Sequence, residues 1–141
     1  MKTRVFTTGV VLWRGRLLIL KRKADDDSYP GLWDCVGGHF ENGESAEECM
    51  LREAKEESGQ KMKIVSVGPL IEYLDAYGRA VAVPFVLRPS SRRIVLSEHS
   101  EFKWIKLGET KDYDTVPDLA KALSLFGLQR GTRRRPASKA S

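Results

Sequence analysis

A chain of 141 residues, 41% hydrophobic and 30% charged, has the length of one domain and the balance of a water-soluble globule, which excludes a disordered polymer and a second independent core. Its longest apolar runs, residues 8–13 and 80–87, fall well short of the roughly 20 residues that cross a bilayer, so neither a transmembrane helix nor a membrane partner is expected. The net charge of +5 belongs to the end of the chain: Arg130, Arg133, Arg134, Arg135 and Lys139 stand in the last twelve residues, and without them the 19 acids are matched by as many bases.

Val5 to Trp13 is β-branched and apolar, Arg14-Gly15-Arg16 supplies a tight turn, and Leu17 to Leu20 is apolar again, which predicts a hairpin. Lys21 to Pro30, with three consecutive aspartates and a Pro30-Gly31 step, predicts an exposed loop before Leu32 to Val36 re-enters the sheet. Ser45 and Glu48 have capping-box spacing and Gly59 stands where a left-handed residue ends a helix, so a helix is predicted from Ala46 to Ser58. Met62 to Tyr73 and Arg79 to Leu87 are strand-like and joined by a turn at residues 75–78, and Phe102 to Ile105 is a further strand. Thr115 to Phe126 closes the fold as a second helix, with Val116, Leu119, Leu123 and Phe126 on one stripe. This order predicts an α/β sandwich with a mixed sheet over residues 1–128.

Residues 129–141 change to Arg, Gly, Thr, Pro, Ala and Ser, a basic tail expected to be disordered. It contains no aromatic residue, and no nucleic-acid partner is expected of it. Cys35 and Cys49 are too few for a disulfide framework or a four-ligand zinc site and read as free thiols. With no apolar leader at the start, the expected location is the cytoplasm.

Seven of the 19 acids, Glu41, Glu44, Glu47, Glu48, Glu53, Glu56 and Glu57, crowd into residues 41–57, where their repulsion calls for a cation. On a helix Glu53, Glu56 and Glu57 stand at i, i+3 and i+4, so their carboxylates converge on one face. Such hard oxygen donors suit magnesium, or manganese in its place. Arg52 is placed to neutralise and orient part of the cluster, and the paired Gly37 and Gly38 let bare backbone approach it. A solvated helix face held by Arg52 and Lys55 is the plainer alternative. Arg22 and Lys23, at the end of the second strand, suit phosphate binding. Trp33, Tyr73, Tyr77 and Phe85 are candidates to stack on a base, while His39 reads as a substrate-side or packing residue and His99 as an exposed loop residue.

From Gly38 the chain runs Gly, five residues, Glu44, seven residues, then Arg52-Glu53-Ala54-Lys55-Glu56-Glu57-Ser58-Gly59, which resembles the Nudix box of MutT-like hydrolases at every fixed charged or glycine position. The departure is Gln60, where that family usually has an aliphatic residue. The resemblance implies an α/β/α sandwich with a mixed β-sheet and a loop-helix-loop catalytic motif. It makes Glu53, Glu56 and Glu57 the metal ligands with the Gly38 carbonyl as an extra one, and Glu44 an outer carboxylate. Arg52 supports them, and the base is a box glutamate or a later one, Glu98 or Glu101. The activity implied is attack of water on phosphorus in a nucleoside diphosphate linked to another moiety: a nucleoside triphosphate, an oxidised nucleotide or a dinucleoside polyphosphate. Tyr77 lies at a distance from the box similar to that of the tyrosine of dinucleoside polyphosphate hydrolases, whereas Pro69 and Pro84 fall too early and too late for the proline of ADP-ribose pyrophosphatases. The family also implies a homodimer. Two alternatives stand beside hydrolysis: an isopentenyl-diphosphate isomerase, which the stretch from Tyr29 to Cys35 slightly resembles, and a non-catalytic nucleotide-binding module.

Overall fold

The computed structural model describes residues 2–128, and the basic tail over 129–141 lies outside the described residues. Strand β1 (Thr3–Trp13) and strand β2 (Arg16–Lys21) are joined at Arg14 and Gly15, both left-handed with φ of 49° and 79°, the turn a two-residue hairpin needs. Alternation along both strands sends Val10, Leu17 and Ile19 into one core and Val11, Leu18 and Leu20 into another, so the sheet is buried on both faces.

The hairpin splays. β1 and β2 pair only at Leu12 with Leu17 and Trp13 with Arg16, and the following segment fills the gap between them. Strand β3 (Trp33–Asp34) pairs with the end of β2, after which Val36 and His39 bridge Gly9 and Phe6 on β1. The expected strand from Leu32 to Val36 is therefore regular over only its middle, because the chain steps from one partner to the other. That step carries Gly37 and Gly38 to the site.

Helix α1 (Ala46–Ser58) has the predicted limits. The long strand expected from Met62 to Tyr73 is instead two, β4 (Met62–Val67) and β5 (Ile71–Asp75), separated at Gly68-Pro69 because proline has no N–H to continue a ladder. Both pair antiparallel with β6 (Gly78–Pro89), which runs parallel to β1, and β7 (Glu101–Lys106) lies antiparallel along β2. A 3-10 helix (Leu107–Asp112) that sequence patterning did not predict leads to helix α2 (Pro117–Leu125). α2 starts two residues later than expected: Pro117 holds Val116 extended, with φ −67° and ψ 153°, so Thr115 is free to bridge Trp33.

Met50 and Ala54 of α1 pack with Val36, Phe85 and Leu87 on one face, and Leu119, Ala122 and Leu123 of α2 pack with Ile71 and Ala82 on the other. The result is the expected α/β/α sandwich around a mixed sheet. No helix among the described residues is long and apolar enough to cross a membrane.

Candidate active site

Both ends of α1 are fixed, and that sets which side chains it aims. Ser45 Oγ accepts from the Glu48 N–H at 3.1 Å while the Glu48 carboxylate accepts from the Ser45 N–H at 2.9 Å, and Gly59, at φ 80°, donates back to the Lys55 carbonyl at 2.8 Å. With the helix so registered, Glu53 and Glu57 face a cavity of about 550 Å³. Glu56, the middle member of the spacing, lies on the flank with its side chain 56% exposed.

The paired glycines bring the chain against these carboxylates. Gly37, at φ 152°, donates its N–H to Glu57 at 2.8 Å, and a Cβ there would sit 2.1 Å from the Thr7 carbonyl oxygen. A Cβ on Gly38 would stand 2.4 Å from the Glu53 carboxylate, so only a bare Cα lets Glu53 lie where it does. The Gly38 carbonyl turns toward β1, where the Thr7 N–H donates to it at 2.9 Å.

Arg52 ties loop to helix. It donates to both oxygens of Glu44, to Glu53 at 3.1 Å, to Glu56 at 3.2 Å and to the His39 carbonyl at 3.0 Å. Its hydrogen bonds hold the Glu44 carboxyl down at about 2, and Glu44 in turn accepts from the Glu41 N–H at 2.9 Å. Arg52 thus braces the box carboxylates and is absent from the residues that line the cavity. Gln60, the departure from the box pattern, replaces packing with hydrogen bonding: its amide donates to the Ser91 and Arg93 carbonyls at 2.8 and 2.7 Å and accepts from Ser90, pinning the loop that leads toward Glu98.

Arg52 compensates only part of the negative charge at the box. Burial pushes the Glu57 carboxyl well above the usual carboxylate range; the Gly37 N–H opposes this, while Asp34, Glu53 and Glu98 reinforce it. Burial likewise raises Glu53, against the pull of Arg52 and with the push of Glu56 and Glu98. A carboxylate only 7% exposed, crowded by other carboxylates and given one N–H, is what a bound cation would stabilise. The oxygen-only donor set of Glu53, Glu56 and Glu57 fits a hard divalent ion.

The remaining predicted residues separate. Glu98 lines the cavity beside Glu53 and Glu57, whereas Glu101 begins β7, is half exposed and pairs with Lys21 at 3.9 Å. Arg22 lines the cavity but donates to Asp34 at 2.7 Å, to Asp26 at 2.9 Å and to Ser28, so it braces the loop after β2. Lys23 is not part of the cavity wall, and its carbonyl accepts from Asp26 and Gly31 within the same loop. Tyr77 reaches the cavity mouth, where its hydroxyl accepts from the Tyr29 N–H at 3.2 Å. Tyr73 also lines it, while Trp33 and Phe85 are core residues.

Sequence reasoning missed the far end of the cavity: Arg4, Tyr29, Asp34 and Asp118. One donor atom each of Asp34, Cys35 and Asp118 lies within 4.8 Å of the others. Their oxygens are already engaged, Asp34 by Arg22 and by the Cys35 N–H at 2.7 Å, and Asp118 by Thr8 and Tyr73, so this set does not call for a cation as the box does. Burial, reinforced by Asp34, raises the Cys35 thiol well above its ordinary range, which keeps it neutral.

A mixed sheet between helices, with a capped glutamate helix facing glycine backbone across a cavity, defines a class, and the family model described as the NUDIX domain matches residues 3–126. The chain belongs to the Nudix family. Among curated proteins it is similar to the nucleoside triphosphatase NudI of Klebsiella pneumoniae subsp. pneumoniae, 27% identical over 140 residues that cover 91% of this chain and 99% of that protein. Its fold is that of a MutT protein from Methanosarcina mazei Go1, with a TM-score of 0.78 and 23% identity over 89% of this chain and 93% of the other. The NUDIX domain of Shewanella oneidensis NrtR, solved with ADP ribose, matches with a TM-score of 0.70 and 19% identity over 90% and 88% of the two chains.

Proposed function

We propose that this Nudix enzyme is a magnesium-dependent pyrophosphohydrolase whose substrates are nucleoside triphosphates, ordinary or oxidised. Hydrolysis of a phosphoanhydride bond in a nucleotide is the activity of its class. The observation that carries the reading is the placement of Glu57, buried against the Gly37 N–H and facing the cavity together with Glu53 and Glu98. Glu53, Glu56 and Glu57 would hold the divalent ion, manganese serving where magnesium does not. When bound, the metal supplies charge neutralisation for the phosphate oxygens and acidity for the attacking water.

The chain's own residues do the rest. Glu98, on the loop before β7, accepts the proton of the water as its oxygen bonds to phosphorus and the bridging P–O bond breaks. Arg52 holds Glu53 and Glu56 in place through the hydrogen bonds described above. The preference for triphosphates draws on the similarity to NudI along nearly the whole of both chains. Tyr77, the pointer toward dinucleoside polyphosphates, spends its hydroxyl on the Tyr29 backbone, which gives it a structural occupation. The free, buried thiols of Cys35 and Cys49 suit a reducing cytoplasm.

A magnesium-dependent hydrolysis screen over nucleoside triphosphates, their oxidised forms, ADP-ribose and dinucleoside polyphosphates, with products separated by chromatography, tests this. Nucleoside triphosphates should be turned over fastest. Selective turnover of ADP-ribose or a dinucleoside polyphosphate would overturn the substrate assignment, and nucleotide binding without any product would favour a binding module.

A further inference from the structure

The segment between β6 and β7 is docked along the end of α1. A helix leaves the carbonyls of its last turn without intrahelical donors, and this segment supplies two: the Val95 N–H donates to the Ser58 carbonyl at 2.9 Å, and Ser97 Oγ donates to the Glu56 carbonyl at 2.8 Å. The approach is close enough that a Cβ on Gly59 would stand 2.8 Å from Val95. Gln60, the next residue, holds the start of the segment with its whole amide. Its Nε2 donates to the Ser91 and Arg93 carbonyls at 2.8 and 2.7 Å, and its Oε1 accepts the Ser90 N–H at 2.9 Å and the Ser90 hydroxyl at 3.0 Å. Ile94 is buried in the same core as Met50 and Ala54 of α1. At the far end the Ser100 N–H donates to the Lys21 carbonyl on β2 at 2.9 Å.

Glu98 stands between the anchors at Ser97 and Ser100. It is itself exposed, so packing does not hold its side chain, and its place at the cavity follows from where the anchors put its backbone. Ser97 is fixed to the backbone of Glu56, in the same stretch of α1 that carries Glu53 and Glu57. Base and glutamates are therefore referenced to one helix end. An aliphatic side chain at position 60 could make none of the hydrogen bonds that Gln60 makes. We propose that Gln60 and Ser97 are positioning residues that hold Glu98 in register with the α1 glutamates, so that the departure from the box pattern at Gln60 serves the reaction. The inference rests on Glu98 as the base of the hydrolysis proposed above and adds what fixes its place.

The experiment is a mutant cycle on the full chain, with kcat and KM measured on whichever nucleotide of the screen above the parent hydrolyses fastest. Glu98→Gln should lower kcat by about a hundredfold or more. Gln60→Leu and Ser97→Ala should each lower kcat by about tenfold with KM within about twofold, because a base displaced by a fraction of an ångström serves poorly. In the Glu98→Gln background neither should lower kcat by more than about a further twofold, since their effect passes through a carboxylate already removed. Ser97→Thr, which keeps the hydroxyl, should return kcat to within about twofold of the parent. The Val95 amide should exchange its hydrogen about tenfold faster in Gln60→Leu and in Ser97→Ala. Unchanged kcat in the single variants, a loss that falls on KM, losses that multiply with that of Glu98→Gln, or Val95 exchange as slow as in the parent would each overturn the proposal. Should Gln60→Leu fail to fold, Ser97→Ala decides by the same cycle. Full turnover by Glu98→Gln would refute the base assignment and the proposal with it, whereas loss in Glu98→Gln beside full turnover in Gln60→Leu and Ser97→Ala would refute the proposal alone.

Discussion

Replacing Asp118 by Asn should stabilise the protein at neutral and alkaline pH and leave it unchanged in acid. Burial, with a further push from Asp34, raises the Asp118 carboxyl from 3.8 to about 7, against the weaker pull of Thr8 and Tyr73. Folded protein therefore holds this proton to a higher pH than unfolded protein does, and the contribution is complete below about pH 4 and lost as the pH rises through about 7. At about 1.4 kcal/mol per pH unit, the shift from 3.8 to about 7 is worth about 4 kcal/mol. Asn never carries the charge and stands in for the neutral carboxyl, and the shift already contains the pull of Thr8 and Tyr73, so the net gain at pH 8 is about 4 kcal/mol. Urea unfolding of both proteins at pH 4 and pH 8 gives the difference at each pH, and groups common to the two cancel. A variant less stable than the parent at pH 8, or a difference independent of pH, would refute the assignment of Asp118 as a buried, reluctantly charged group.

Two further substitutions separate space, chemistry and packing at the site. Gly38→Ala puts a methyl 2.4 Å from the Glu53 carboxylate, and displacing that carboxylate should lower kcat by about a hundredfold, with helix content by circular dichroism unchanged. Cys35→Ala should leave hydrolysis nearly intact and cost about 1 kcal/mol in urea unfolding from lost packing; abolished turnover would instead make the thiol a catalytic group and revive the isomerase reading.

How far the sequence anticipates this structure depends on the range of the interaction. α1 is written locally: the Ser45–Glu48 box and Gly59 fix its ends, and helical spacing alone aims Glu53 and Glu57 together. The break at Gly68-Pro69 was also local and was overlooked in a run of otherwise strand-like residues. Glu98 and Glu101 could not be ranked from sequence, because the distinction comes from the β2–β7 register that sets Glu101 opposite Lys21. Arg22 showed its charge but not its partners, Asp26 and Asp34, which take it from phosphate duty. The far end of the cavity was invisible because it joins Thr8 to Asp118, 110 residues apart. A faint signal did exist: Asp118 stands four residues before the buried Ala122, on the inner side of α2, where a carboxylate needs a reason.

The most direct test of the account is the magnesium-dependent turnover of Glu57→Gln on the best nucleoside triphosphate substrate, with helix content recorded alongside. Glutamine keeps the shape and one oxygen for the Gly37 N–H but removes the charge that would hold the metal. Turnover should fall by about a hundredfold or more, a loss of about 3 kcal/mol of transition-state stabilisation, while the helix persists. A folded Glu57→Gln protein with undiminished magnesium-dependent turnover would contradict the placement of the catalytic metal on the α1 glutamates.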